Sequence, residues 1–266
     1  MSHVPRKRFG QHFLHDPGIR GRIVDAIAPQ PGNTIVEIGP GLGALTAPLL
    51  ERGARVIAIE LDRDVIPELQ ARCEALGDLE IHSLDALKLD LARLGEGPFR
   101  LVGNLPYNIS TPLLFHLLAQ RSRIRDMHFM LQKEVVQRLG AAPGNKTYGR
   151  LGVMAALACH TEPLFDVNPG AFRPPPAVTS SVVRLLPREM ELAIPNPDLL
   201  AEIVRRAFSQ RRKTLRNSLR GLVPEQLLVG QDIDPGARAE TLAPEDFARL
   251  AAALDATSPP ADDNGL

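Results

Sequence analysis

The tetrapeptide Asn104-Leu105-Pro106-Tyr107 carries the residue types that alkylation of an aromatic amino group needs. An adenine N6 nitrogen is a poor nucleophile because its lone pair is delocalised into the ring. The Asn104 side-chain oxygen and a backbone carbonyl near Leu105 would accept its two N–H bonds, aim the nitrogen and favour a localised lone pair. Positioning of this kind falls within the ~7–11 kcal/mol ceiling for ideal proximity effects, and it requires no strong general base. Tyr107 offers a flat face for the base, which must be single-stranded or flipped out of a duplex to reach it. Phe172, in Ala171-Phe172-Arg173-Pro174-Pro175-Pro176, is the candidate for the opposite face, on a loop that its prolines stiffen. Each feature has a plainer reading: the tetrapeptide as a surface turn, Phe172 as an ordinary core residue.

A second constellation precedes it. Gly39-Pro40-Gly41-Leu42-Gly43 follows an apolar run and opens a helical pattern, so a ligand can approach the backbone without a Cβ in the way. Alone, such a loop is a weak signal. Glu60 lies about twenty residues on, at the end of the next strand pattern, where an acid accepts hydrogen bonds from ribose hydroxyls. Leu61 follows it and would cover one face of an adenine. Asp85 ends the third strand pattern and reads either as a contact to the adenine amino group or as a helix cap. With Glu37, these acids make a site that suits the sulfonium of S-adenosylmethionine and repels a pyrophosphate.

The elements that must hold these residues alternate. Residues 34–38, 55–60, 79–84, 99–102 and 126–131 read as strands; 44–52, 63–75 and 111–121 read as helices between them. This predicts an α/β, Rossmann-like parallel sheet covered on both faces, to which 164–167 and 181–186 add two strands. A helix at 17–28 precedes the first strand, behind a basic, aromatic arm at 8–14. Proline and loss of periodicity mark a boundary near 187–197. Beyond it, helices at 198–209, 213–219, 224–229 and 244–254 predict a small all-helical C-terminal domain. The expected division is 1–187, 188–254 and a tail at 255–266.

Net charge is zero over 266 residues, but the charges segregate. Arg205, Arg206, Arg211, Arg212, Lys213, Arg216 and Arg220 follow one another with no acid between them, which is what contact with a polyanion requires. The same run also reads as a solvated helix face. The two cysteines and seven histidines form no metal-ligand spacing, so no metal is expected. No apolar run has membrane length, and a cytoplasmic protein is expected.

Five segments together resemble the ribosomal RNA adenine dimethyltransferases of the KsgA/RsmA type, nearly end to end. They are 9–14 (Phe-Gly-Gln-His-Phe-Leu), 37–43, 104–110, 172–176 and 207–217 (Ala-Phe-Ser-Gln-Arg-Arg-Lys-Thr-Leu-Arg-Asn). The resemblance implies S-adenosylmethionine-dependent dimethylation of two adjacent adenosines in a hairpin near the 3′ end of 16S rRNA. It implies that His12, Leu14, Gly39, Glu60, Asp85 and Asn104 contact the methyl donor, with Gly41, Leu61 and Ala86 beside them. His12 stands where the family often has Asn. Tyr107 and Phe172 would clasp the base. A basic helix bearing Arg211, Arg212, Lys213 and Arg216, with Lys146 and Arg150, would grip RNA phosphates. The implied partner is 16S rRNA within a pre-30S particle, met by a monomer with no membrane involved. The rival readings are a 23S rRNA adenine methyltransferase, a DNA adenine methyltransferase, and a non-catalytic ribosome-assembly factor on the same scaffold.

Overall fold

The run Thr-Ile-Val-Glu-Ile and the run Arg-Val-Ile-Ala-Ile-Glu have β-branched residues on both faces, the pattern of strands buried from both sides. They form β2 (Thr34–Ile38) and β3 (Arg55–Glu60), with Ile35, Val36, Val56, Ile57 and Ala58 fully enclosed. The computed structural model describes residues 12–189 and 194–257. Residues 8–11 of the expected arm and 258–266 of the expected tail lie outside the described residues.

The other strands are β1 (Phe13–Leu14), β4 (Leu79–Ser83), β5 (Phe99–Asn104), β6 (Ile124–Gln132), β7 (Cys159–Val167), β8 (Phe172–Arg173) and β9 (Ser180–Pro187). Seven of them form one sheet in the order β4-β3-β2-β5-β6-β9-β7. β4 to β6 run parallel, whereas β9 is antiparallel to both β6 and β7. The two late strands thus join the sheet as expected, but as an antiparallel edge. The chain leaves β2 first toward β3 and β4 and later returns to its other side as β5. Ligands of open α/β sheets bind at such a reversal, outside the carboxyl ends of the strands. Gly103 allows the close approach of β5 to β2, because a Cβ there would overlap the Ile38 carbonyl.

The helices are α1 (Pro17–Ile27), α2 (Thr46–Glu51), α3 (Ile66–Cys73), α4 (Ser110–Ala119), α5 (Lys133–Leu139), α6 (Arg150–Ala158), α7 (Pro197–Ala207), α8 (Leu215–Ser218), α9 (Glu225–Gly230) and α10 (Pro244–Thr257). Asp16 starts α1 by accepting the Ile19 amide at 2.9 Å, and Pro17 costs nothing at the first helical position. α10 runs three residues into the expected tail.

The chain divides into two compact units, Met1–Gln137 with Cys159–Pro187, and Arg138–Ala158 with Arg188–Leu266. This corrects the single cut expected at 187, because α6 belongs to the second unit. The reason is apolar: Val153 and Leu157 of α6 join Leu200, Ile203, Val204, Phe247 and Leu250 in the core of that unit. α7 buries Leu200, Ile203, Val204 and Ala207, the i, i+3, i+4, i+7 stripe of an amphipathic helix. Tyr148 anchors the same core, its hydroxyl donating to the Leu242 carbonyl at 2.9 Å.

The expected basic helix is also corrected. Arg211, Arg212 and Lys213 lie on a turn between α7 and α8, and only Arg216 is helical. Arg211 leaves the helical path because its guanidinium donates to the Lys146 carbonyl and lies 3.8 Å from Glu240. Arg216 pairs with Glu225 at 2.7 Å. Arg212 and Lys213 are exposed and, among the described residues, unpaired. Lys146 is exposed in the same unit, and Arg150 opens α6 half-buried.

Candidate active site

A cavity of about 650 Å³ opens at the carboxyl ends of β2 to β5, within the roughly 300–1,000 Å³ range of small-molecule sites. It is lined by His12, Leu14, Gly39, Gly41, Glu60, Leu61, Asp85, Ala86, Asn104, Leu105, Pro106 and Tyr107. The structure thus gathers residues that the sequence spreads over nearly a hundred positions. Phe172 is not among them. It is 2 % exposed and packs in the core with Leu14, Val167 and Val182. The cause is strand alternation: β8 pairs with β1, Leu14 opposite Phe172, which sends Phe172 inward and Arg173 to the cavity. In this arrangement the core reading holds, and Phe172 does not face Tyr107.

His12 takes that place. Its ring stacks on Tyr107 with centroids 5.6 Å apart and planes 29° apart, and its Nδ1 lies 2.8 Å from the Pro174 carbonyl. Tyr107 Oη is 2.5 Å from Ser180 Oγ at the start of β9, and burial raises the phenol above its ordinary range. The Ser180 contact was beyond sequence reasoning, since Ser180 is 73 positions away and carries no local signal.

Asn104 ends β5, and its Nδ2 donates to the His12 carbonyl at 2.9 Å. Among the described residues no hydrogen bond takes up its Oδ1 or the Leu105 carbonyl. The Leu105 amide donates to Met130 at 3.1 Å, which fixes the turn while leaving the two acceptors available. The site thus presents two free oxygens beside an aromatic face, the requirement for holding an amino group.

At the other end the acids are arranged by burial. Glu60 accepts from the Gly41 amide at 3.1 Å and from the Asp62 amide at 2.8 Å, one bond per oxygen. Each oxygen keeps a second lone-pair position. Burial raises its pKa, opposed by those two amides. Glu37 is 2 % exposed and accepts from the Thr46 hydroxyl at 2.6 Å. Burial pushes its carboxyl up to about 7 against that bond, with the Glu60 charge adding to the rise. Asp85 does cap the turn that follows it, its Oδ1 accepting from Leu87 at 3.0 Å, and it also lines the cavity. Gly41 has φ +54 and lies under the Phe13 ring, so a Cβ there would sit 3.0 Å from the ring.

These residues fit S-adenosylmethionine. Glu60 has lone pairs for two ribose hydroxyls, Leu61 is half-exposed beside it for an apolar ring face, and the buried acids suit a cation. No group of His, Cys, Asp or Glu among the described residues could hold a metal ion.

The profile of the ribosomal RNA adenine dimethylase family matches residues 2–256. The chain is 53 % identical over 267 residues to the ribosomal RNA small subunit methyltransferase A of Marinobacter nauticus, covering 99 % of this chain and 96 % of that one. Among solved structures it resembles a dimethyladenosine transferase from Plasmodium falciparum, with TM-score 0.79 and 30 % identity over 92 % of this chain and 98 % of that one. It also resembles the 23S rRNA methyltransferase ErmE, with TM-score 0.67 and 26 % identity over 91 % and 99 %. The fold is a Rossmann-like S-adenosylmethionine-dependent methyltransferase sheet with a helical C-terminal part.

Proposed function

The chain belongs to the ribosomal RNA adenine dimethylase family, and on that premise we propose that it dimethylates the N6 amino groups of two adjacent adenosines in a 3′-terminal hairpin of 16S rRNA. It is an S-adenosylmethionine-dependent rRNA adenine dimethyltransferase whose substrate is small-subunit ribosomal RNA. The target particle is a pre-30S intermediate, met in the cytoplasm by a monomer. No helix among the described residues is long and apolar enough to cross a membrane.

The observation that carries this reading is the free pair of oxygens beside Tyr107. When bound, S-adenosylmethionine supplies an electrophilic methyl group on a sulfonium. Asn104 Oδ1 and the Leu105 carbonyl accept the two N6 hydrogens and point the nitrogen lone pair into the cavity. Tyr107 holds the base by its face, with the Ser180 contact fixing the ring. Glu60 would accept hydrogen bonds from the donor's ribose hydroxyls, and Asp85, His12 and Leu14 would complete its enclosure. Each methyl replaces one N6 hydrogen, which leaves as a proton to solvent once the alkylated nitrogen has become acidic. After one methylation a single N–H therefore remains, and only one acceptor is used in the second transfer. On the second unit, Arg212 and Lys213, with Lys146, Arg150, Arg211 and Arg216, supply positive charge for RNA phosphates.

Transfer of labelled methyl groups to unmethylated 30S particles, mature 30S particles, 50S particles and naked RNA, run in parallel, tests this. Label entering only the unmethylated 30S particles is expected. Label entering 50S particles instead would contradict the substrate.

A further inference from the structure

Two arginines line the cavity without a part in the chemistry above. Arg173 is exposed, and Arg20, in the first turns of α1, is half-buried. Neither forms an ion pair among the described residues, and Arg20 Nε is buried with no hydrogen-bond partner. The third cavity arginine, Arg72, is committed to the Leu42 carbonyl at 2.9 Å. The acids of the cavity, Glu37, Glu60 and Asp85, stand at the ends of β2 to β4 and make no bond to Arg20 or Arg173. A partly buried guanidinium without a counter-charge is costly, and an anion placed against it recovers that cost.

The position of Arg173 tells which anion. It sits across from Phe13 in the β1–β8 pair. The carbonyl of the next residue, Pro174, lies against His12, and the His12 ring stacks on Tyr107. Arg173 therefore stands at the base-binding end of the cavity rather than at the acidic end. The start of α1, which carries Arg20, is tied beside it by the His15 amide donating to the Ala171 carbonyl at 3.0 Å. The planar fork of a guanidinium matches two oxygens of a phosphate.

We propose that Arg20 and Arg173 bind a backbone phosphate beside the target adenosine, so that the nucleotide enters base-first with its phosphate held at the cavity rim. This rests on the reading of the cavity as an RNA methylation site. The rim explains how a flipped nucleotide is held locally.

The test uses full-length Arg173→Gln, Arg20→Gln and Arg173→Lys proteins with unmethylated 30S particles. Each Gln variant should raise the KM for particles by roughly tenfold, the usual range for a charge-assisted bond to a partly exposed group. Its particle affinity should depend less steeply on salt, and the double variant Arg20→Gln with Arg173→Gln, which loses the phosphate contact altogether, should lower the log–log slope by about 0.7–0.9. The Lys variant should restore the slope, and the calorimetric Kd for S-adenosylmethionine should be unchanged in all of them. An unchanged KM and slope would overturn the proposal. So would a weakened donor Kd with unchanged particle affinity, since the anion would then be the donor's carboxylate. Equilibrium binding does not require turnover: a wild type that transfers no methyl group, with variants that still show the slope change, sinks the proposed reaction and leaves the rim standing.

Discussion

Replacing Glu37 by Gln removes a buried acid whose ionisation opposes folding. Burial pushes this carboxyl from the ordinary 4.5 up to about 7, despite the Thr46 hydroxyl that favours the charged form. The folded protein therefore holds a proton on Glu37 that the unfolded chain has lost between about pH 4.5 and about pH 7. Stability from this group must fall as pH rises through that window. At about 1.4 kcal/mol per factor of ten, the loss is about 3 kcal/mol. A Gln side chain keeps an oxygen for Thr46 and has nothing to ionise. Urea unfolding of both proteins at about pH 4.5, 6 and 7.5 gives the difference in stability, in which titrations common to both cancel. The variant should gain on the wild type by about 3 kcal/mol across the series. A difference that stays flat within about 1 kcal/mol would refute the burial-driven rise of the Glu37 carboxyl.

Tyr107→Phe keeps the stacking face and loses the Ser180 contact, so kcat/KM for particles should fall less than about tenfold. Tyr107→Ala should fall roughly 10–100-fold, the worth of one stacked base, and equal effects from the two variants would argue against stacking. Glu60→Ala should weaken S-adenosylmethionine binding by more than about tenfold in calorimetry, because it removes a charged acceptor of hydroxyl hydrogen bonds; an unchanged Kd would remove Glu60 from the donor site. Gly103→Ala must push β5 away from the Ile38 carbonyl and should cost at least about 2 kcal/mol by thermal or urea unfolding, with a neutral result meaning that the two strand ends can separate freely.

The parallel core was legible because its signal is local. β2 and β3 have the bounds expected from their apolar runs, and the acids and glycines of the donor end sit at strand ends that the alternation already marks. What depended on distant pairing was not legible. β1 and β8 are two residues each and about 160 positions apart, so nothing nearby announces them, yet their register decides that Phe172 turns inward and Arg173 outward. α6 is apolar nearly all round, Leu151, Gly152, Val153 and Ala155 being buried, and such a helix has no clear face for periodicity to find. The Arg211 turn depends on the Lys146 carbonyl 65 positions away, a partner that nothing in the local sequence announces.

The most direct measurement is mass spectrometry of the small-subunit rRNA after reaction with wild type, Asn104→Ala and Asn104→Asp. If Asn104 Oδ1 holds the amino nitrogen in line for transfer, wild type yields dimethyladenosine, Asn104→Ala yields neither product, and Asn104→Asp accumulates the monomethyl form. Undiminished dimethyladenosine from Asn104→Ala would contradict the account.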